Sequence, residues 1–236
     1  MKSTILSFLL LAAAGFSASA ATISQWTFET SVPTAAGSHI AEGGVSPGSA
    51  LGSHAAPATA YSNPFGNGST ESFSANNWLV GDYWQFQVDT TGYEDISLDW
   101  DQTSSSTGPM NFKLQYSATG VGFTDFATYT VLENISANGG VWSATTDRPN
   151  YSFSMDLSAV GAIENTATVF FRLVDASTTS ANGATVAGAG ASRIDNFTVT
   201  GEAIAHVPDS APGWLGLGAV VAMMALGWRR SELKVS

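Results

Sequence analysis

Apolar and polar side chains alternate along several short segments in the middle of the chain. The clearest case is residues 83–88, YWQFQV, in which every second position carries a large apolar side chain. The same alternation recurs in residues 95–101, 111–116 and 151–157. Because successive side chains of a strand point to opposite faces, each segment predicts a strand with one buried and one wet face. Residues 168–174 are apolar on both faces except at Arg172, which predicts a central strand.

The remaining segments complete an all-β domain. The first and last strands are predicted at residues 23–28 and 193–200, and further strands at residues 77–80 and 126–132. Two stretches rich in Ala, Gly and Ser predict long loops, at residues 32–60 and 177–191, and one helical turn is predicted within residues 156–163. Many short strands separated by turn residues indicate a two-sheet antiparallel β-sandwich, jelly-roll-like, over residues 21–205.

The first twenty residues have the three parts of a signal peptide. Lys2 supplies the positive start, residues 5–15 supply a short apolar core, and Ala18-Ser19-Ala20 supplies the small-residue cleavage pattern. We therefore predict a signal peptide over residues 1–20, with cleavage after Ala20.

A second uncharged segment, residues 213–228, has the character of a membrane span. At 1.5 Å per residue it reaches about 24 Å, slightly less than a typical hydrocarbon core. Trp214 and Trp228 lie near its two ends, where interfacial aromatics belong. Arg229 and Arg230 follow directly and open a basic tail, residues 229–236. The positive-inside rule predicts a transmembrane helix with this tail in the cytoplasm.

A short proline-containing motif precedes that helix: Val207, Pro208, Asp209 and Ser210. The order of motif, apolar helix and basic cluster over residues 206–236 resembles the PEP-CTERM class of bacterial sorting signals, in its Val-Pro-Asp-Ser-Gly variant. Ala211 stands where that variant has Gly. The resemblance implies recognition by a membrane-embedded exosortase. It implies an exported protein, anchored in the inner membrane as a precursor and then passed to the cell surface or extracellular matrix.

The body also resembles the jelly-roll modules of exported proteins that carry such tails. The resembling stretches are Trp26-Thr27-Phe28-Glu29, Phe112-Lys113-Leu114-Gln115-Tyr116-Ser117 and Arg193-Ile194-Asp195-Asn196-Phe197-Thr198-Val199. Lectin-like and carbohydrate-binding modules share that architecture. Likeness of fold alone does not determine a function.

Composition narrows the classes of function. The chain has 8 Lys and Arg against 19 Asp and Glu, a formal charge of −11, which argues against nucleic acid as a partner. Residues 21–205 hold 4 of the basic and 17 of the acidic residues, which gives this body a charge of −13. The chain has no Cys, which excludes disulfides, thiolate metal sites and Cys nucleophiles.

The acidic body suits hard cations, and a structural Ca²⁺ is one candidate cofactor. Sandwich modules of this kind often hold such an ion near the first and last strands, which points to Glu29 and Asp195. Alternation places Asp195 on the face of Phe197 and Val199, whereas Glu29 lies opposite Phe28. Both acids reach one ion only if a bulge or a strand end turns one of them; otherwise they are ordinary surface carboxylates.

Carbohydrate binding requires exposed aromatic side chains beside amide and carboxylate groups. Tyr83, on the face of Gln85 and Gln87, and Trp142, beside a Gly-rich turn, are the candidates. Four other tryptophans are expected in the core: Trp26, Trp78, Trp84 and Trp100. We predict a surface or matrix protein that is structural or adhesive through envelope polysaccharide, without catalytic residues. The alternative is a secreted carbohydrate-active enzyme that uses two carboxylates.

Overall fold

The computed structural model describes residues 20–204, and these form a two-sheet antiparallel β-sandwich, as predicted. The predicted sorting signal and all of the predicted signal peptide except Ala20 lie outside the described residues. The strands are β1 Ala20–Trp26, β2 Gly37–Ile40, β3 Gly48–Ser53, β4 Tyr61–Ser62, β5 Phe73–Ala75, β6 Tyr83–Val88, β7 Tyr93–Ser104, β8 Asn111–Ser117, β9 Thr124–Thr130, β10 Ser152–Asp156, β11 Val169–Asp175 and β12 Ser192–Ala203.

Each sheet has six strands, and all pairings between strands are antiparallel. In sheet I the order is β10-β7-β12-β5-β4, and β1 also pairs with β12, beyond the stretch that β5 covers. In sheet II the order is β2-β3-β6-β11-β8-β9. The predicted first and last strands are therefore neighbours, and the strand that contains Arg172 lies in the middle of its sheet, as predicted.

The core lies between the two sheets and is dominated by aromatic rings. The four tryptophans expected there are buried: Trp26, Trp78, Trp84 and Trp100. Phe86 of sheet II stacks on Phe197 of sheet I, with ring centroids 3.5 Å apart and planes within 3° of parallel. Trp78 lies in the loop before β6; strand alternation directs the other rings inward and places the intervening polar side chains on the outer faces.

The prediction of one long loop over residues 32–60 is wrong, because β2 and β3 lie within it. The inward positions of β3 are Gly48, Ala50 and Gly52, which carry no large apolar side chain. Their small size is required by the rings beneath them, since a Cβ on Gly52 would lie 2.8 Å from the Trp84 ring. Small residues facing large ones fill the core without producing a hydrophobic alternation.

Other local predictions have mixed outcomes. Residues 77–80 form no strand, and the strand expected at residues 126–132 runs instead over Thr124–Thr130. The helical turn expected within residues 156–163 is confirmed as a 3₁₀ turn at Gly161–Ile163. In the part of the chain that the structure describes, no helix has the length and apolar character of a membrane span; the predicted span, residues 213–228, lies outside it.

Candidate functional site

The outer face of sheet II carries a cluster of amide, basic and aromatic side chains. Tyr83, Gln85 and Gln87 of β6 project to this face because the alternate positions are buried in the core. The strand register places Arg172 of β11 directly between Gln85 and Gln115. We call the outer side of β6, β11 and β8, with the loop that precedes β9, the sheet II face.

Arg172 lies at the centre of the sheet II face and is held by three contacts. Its guanidinium carbon is 4.0 Å from the centre of the Tyr83 ring and 3.6 Å from that of Phe123. Its Nε donates a hydrogen bond of 2.8 Å to Oε1 of Gln85. Cations are attracted to the faces of aromatic rings, and these contacts fix the orientation of the guanidinium plane. Phe123 lies in the β8–β9 loop, and its part in this cluster was not predicted.

A second polar group lies two strands away on the same face. Asp125 accepts hydrogen bonds from Gln115, at 2.6 Å, and from Lys113, at 3.1 Å. These two hydrogen bonds lower the pKa of the exposed Asp125 carboxyl. The positive charge of Lys113 is therefore matched within the protein.

One border of the sheet II face is apolar. Leu79 and Val80 are 51% and 55% exposed in the turn before β6. Val80 lines a shallow depression together with Lys113, Gln115 and Val174. The turn is fixed by Asp82, whose buried carboxylate accepts hydrogen bonds from the backbone N–H groups of Leu79 and Ala55, each at 2.8 Å. The apolar border is therefore part of a rigid surface.

The two aromatic residues predicted to bind a sugar have different environments. Tyr83 is half-buried and lies on the sheet II face, with one side of its ring against Arg172. Trp142 is only 3% exposed and packs edge-on against Tyr151, so the prediction of an exposed aromatic platform there is wrong. The Gly-rich turn beside Trp142 favoured an exposed ring, but the surrounding chain covers the ring.

The two acids predicted to hold calcium contact one loop, residues 66–71. Asp195 accepts hydrogen bonds from Ser69 Oγ, at 2.6 Å, and from the Asn67 N–H, at 2.9 Å. Glu29 accepts hydrogen bonds from Thr70 Oγ1 and from the Glu71 N–H. A bulge in β12 turns Asp195 away from the core face on which alternation placed it. Within residues 20–204 no three His, Asp or Glu side chains are grouped to hold a metal ion, and the calcium site stays a prediction.

Asp195 is coupled to a second carboxylate, Asp101, through Asn196. The Asn196 amide donates to Asp101, at 2.9 Å, and to Asp195, at 3.3 Å. Burial raises the pKa of Asp195 to about 7, and burial also raises the pKa of Asp101. Asp195 is 0% exposed, so it cannot contact a sugar as the acid or base of a glycosidase must. This pair therefore lends no support to the enzymatic alternative.

Comparison of the chain with known proteins gives no family. No protein-family model matches it, and no curated protein matches it.

Several solved structures resemble the chain loosely. The CBM22-1–GH10 modules of endo-1,4-beta-D-xylanase 10B from Clostridium thermocellum, complexed with xylohexaose, are 15% identical with a TM-score of 0.44; the match covers 81% of this chain and 30% of that one. The CBM22-2 xylan-binding domain of Xyn10C from Paenibacillus barcinonensis is 10% identical with a TM-score of 0.42, over 75% and 98% of the two chains. The K3 cleaved adhesin domain of Lys-gingipain from Porphyromonas gingivalis is 12% identical with a TM-score of 0.42, over 76% and 98%. Similarity at this level assigns neither a family nor a ligand.

Proposed function

We propose that this protein binds polysaccharide through the sheet II face. The observation that carries the proposal is the cluster of Arg172, Tyr83, Phe123 and Gln85, with Gln115 beside it. These side chains lie on an open sheet surface rather than in a closed cavity, and an extended polymer can lie along such a surface.

The chemistry of the cluster suits a sugar. A pyranose ring presents hydroxyl groups at its edge and C–H groups on its faces. Gln side chains both donate and accept hydrogen bonds, and aromatic and aliphatic surfaces pack against C–H groups. Exposed Val80 and half-buried Tyr83 provide the apolar surface, and Gln85 and Gln87 provide amides. Ligand sites generally combine apolar area with a few fixed polar groups.

We also propose that the protein is exported and acts at the cell surface or in the extracellular matrix. The signal peptide pattern of residues 1–20 and the sorting-signal pattern of residues 206–236 support this part of the proposal. An exosortase-type enzyme would process the precursor at the inner membrane. Association with envelope polysaccharide would then give the protein a structural or adhesive role.

Binding of the purified protein to a panel of soluble neutral and acidic polysaccharides, measured by affinity electrophoresis and calorimetry, tests the binding proposal. Tyr83→Ala and Gln85→Ala should each weaken binding on the order of tenfold, since about 1.4 kcal/mol corresponds to that factor. Gln25→Ala is the matched control, because Gln25 is also half-buried on a strand but belongs to sheet I. Its affinity should equal that of the unchanged protein.

Two results would contradict the proposal. The first is no binding of any polysaccharide in the panel by the folded protein. The second is binding that Gln25→Ala weakens as much as the substitutions on the sheet II face.

A further inference from the structure

Among residues 20–204, the guanidinium of Arg172 has no acidic partner. The one ion pair in this range is that of Lys113 with Asp125. The Nε of Arg172 donates to the amide oxygen of Gln85. The Tyr83 and Phe123 rings that its guanidinium contacts carry no formal charge. Asp125, on the far side of Gln115, is already bonded to Gln115 and Lys113. The charge of Arg172 is therefore fixed in place and unmatched.

This arrangement is unusual for so acidic a domain. Residues 20–204 contain 17 acidic and 4 basic residues, so acidic partners are plentiful. Arg148 and Arg193 also lack an ion pair with any residue in the described range, but neither lies on the sheet II face. Arg193 donates to the carbonyl of Phe65, and the Nε of Arg148 is buried with no hydrogen-bond partner in the part of the chain that the structure describes. Of the four basic residues that the structure describes, only Arg172 combines an unmatched charge with a position on an open sheet surface that carries amide and aromatic groups.

We infer that the polysaccharide bound by the sheet II face carries carboxylates, as uronic acid residues do, and that Arg172 binds one of them. The inference rests on the proposed function and adds the class of the ligand. A guanidinium presents parallel N–H groups that match the two oxygens of a carboxylate. Because Tyr83, Phe123 and Gln85 hold the guanidinium, little side-chain entropy is lost on binding. The negative charge of the rest of the domain repels anionic polymers, so such a polymer binds only where one of its carboxylates contacts Arg172.

The first experiment leaves the protein unchanged and alters the ligand. Polygalacturonate is compared with the same polymer after chemical reduction of its carboxyl groups to alcohols. We expect the acidic polymer to bind on the order of tenfold more tightly at 0.15 M salt, because hydrogen bonds to charged groups are the stronger ones. Equal affinity for the two polymers would overturn the inference.

The second experiment alters the arginine. Arg172→Gln should bind both polymers with one affinity, close to that of the unchanged protein for the reduced polymer. Arg148→Gln is the matched control, since it removes the same group and the same charge from an arginine that also lacks an ion pair. It should retain the preference for polygalacturonate. Loss of the preference in Arg148→Gln but not in Arg172→Gln would place the carboxylate site elsewhere and overturn the assignment.

The two proposals fail in different ways. If the protein binds neutral polysaccharide but shows no preference for carboxylates, polysaccharide binding stands and the role of Arg172 is wrong. If the protein binds no polysaccharide at all, both are wrong. A preference for a sulfated polymer over polygalacturonate would overturn the carboxylate in favour of a sulfate ester. Thermal melting of each variant shows whether it is folded, and the comparison of the two polymers needs no variant.

Discussion

Asn196 donates a hydrogen bond of 2.9 Å to the carboxylate of Asp101, although the two residues are 95 positions apart in the chain. Asn196 lies within the β12 bulge between Asp195 and Thr198 and has a φ of 51°, in the left-handed region. Asn tolerates this conformation better than most residues, because its short polar side chain forms local hydrogen bonds. The same residue therefore supplies both the backbone turn and the amide that joins Asp101 to Asp195.

Two substitutions at Asn196 should separate these contributions to stability. Asn196→Gly keeps the left-handed backbone but removes hydrogen bonds to two carboxylates, at a cost of about 2 kcal/mol of unfolding free energy. Asn196→Ala should cost about 1 kcal/mol more, because alanine is strained at positive φ. Urea unfolding of the three proteins measures the differences. Equal destabilisation by Gly and Ala would show that the backbone conformation contributes nothing.

Asp195 should make stability fall as the pH rises. Its pKa in the folded protein is about 7, above its ordinary value of 3.8, because burial disfavours the ionised form. The protonated acid is thus favoured by folding, and this stabilisation is present below pH 3.8 and lost as the pH rises through 7. Relative to Asp195→Asn, the unchanged protein should lose at most about 1.4 kcal/mol per pH unit between pH 5 and 7.

The measurement is the free energy of unfolding of both proteins from pH 5 to 8, with chelator present. His54, whose pKa burial lowers to about 4, and Asp175, whose pKa burial raises to about 6, titrate in both proteins and largely cancel in the difference. A constant difference across this range would show that Asp195 is ionised throughout.

Calcium should raise the melting temperature if Glu29 and Asp195 hold the ion with nearby carbonyl groups. Binding to the folded state alone contributes about 2.7 kcal/mol at one hundred times the dissociation constant. For a domain of this size, that is a shift of about 5–10 °C. Melting curves with Ca²⁺ and with chelator test this, with Asp195→Asn as the comparison. Identical melting midpoints with Ca²⁺ and with chelator would refute the prediction. A Ca²⁺-dependent shift that persists in Asp195→Asn would place the ion at another site.

Trp26 and Trp84 should respond differently to replacement by phenylalanine. Both are 0% exposed. The Nε1 of Trp26 donates to the carbonyl of His39 at 3.0 Å, whereas that of Trp84 has no hydrogen-bond partner among the described residues. Trp26→Phe should therefore cost about 1 kcal/mol more than Trp84→Phe. Trp84→Ala should cost about 3–5 kcal/mol, because it leaves a cavity of aromatic size. Denaturant unfolding measures all three, and an equal cost for the two Phe variants would contradict the assignment.

The sorting proposal predicts an effect of charge after the apolar segment. Changing Arg229 and Arg230 together to Glu should impair membrane orientation and processing, because the positive charges set the cytoplasmic side. The test follows precursor and processed forms in an exporting cell that has the processing enzyme. Arg229→Lys with Arg230→Lys, which keeps both charges, is the control. Unchanged topology and processing in the Glu variant would refute the proposal.

Alternation predicted the strands whose inward side chains are large. β6, β8 and β11 lie close to the expected segments, and Trp84 and Trp100 are buried as expected. β3 was missed because Ala50 and Gly52 face large rings, and their side chains produce no hydrophobic pattern. Strand alternation alone does not identify a buried strand position that is occupied by Gly or Ala because a large ring lies opposite it.

The candidate site was predictable in its strand residues and not in its loop residues. Alternation placed Tyr83, Gln85 and Gln87 on one outer face, and the structure confirms that placement. The contact of Phe123 with Arg172 depends on how the β8–β9 loop folds back, and no period in the sequence encodes that. For the same reason the burial of Trp142 was not foreseen. The face of Asp195 was wrongly predicted because one extra residue in a strand reverses every side chain beyond it.

The pairing of the first strand with the last has a consequence for how the domain can be connected to other proteins. Ala20 lies opposite Glu202 in the β1–β12 register, so the first described residue is about one strand spacing from a residue two positions before the last. A domain whose ends lie close together tolerates insertion into a surface loop of another protein. It also tolerates circular permutation, in which the ends are joined and new ends are made at another turn, with its core unchanged. We therefore expect the sandwich to fold when it is inserted into another protein through two short, adjacent connections.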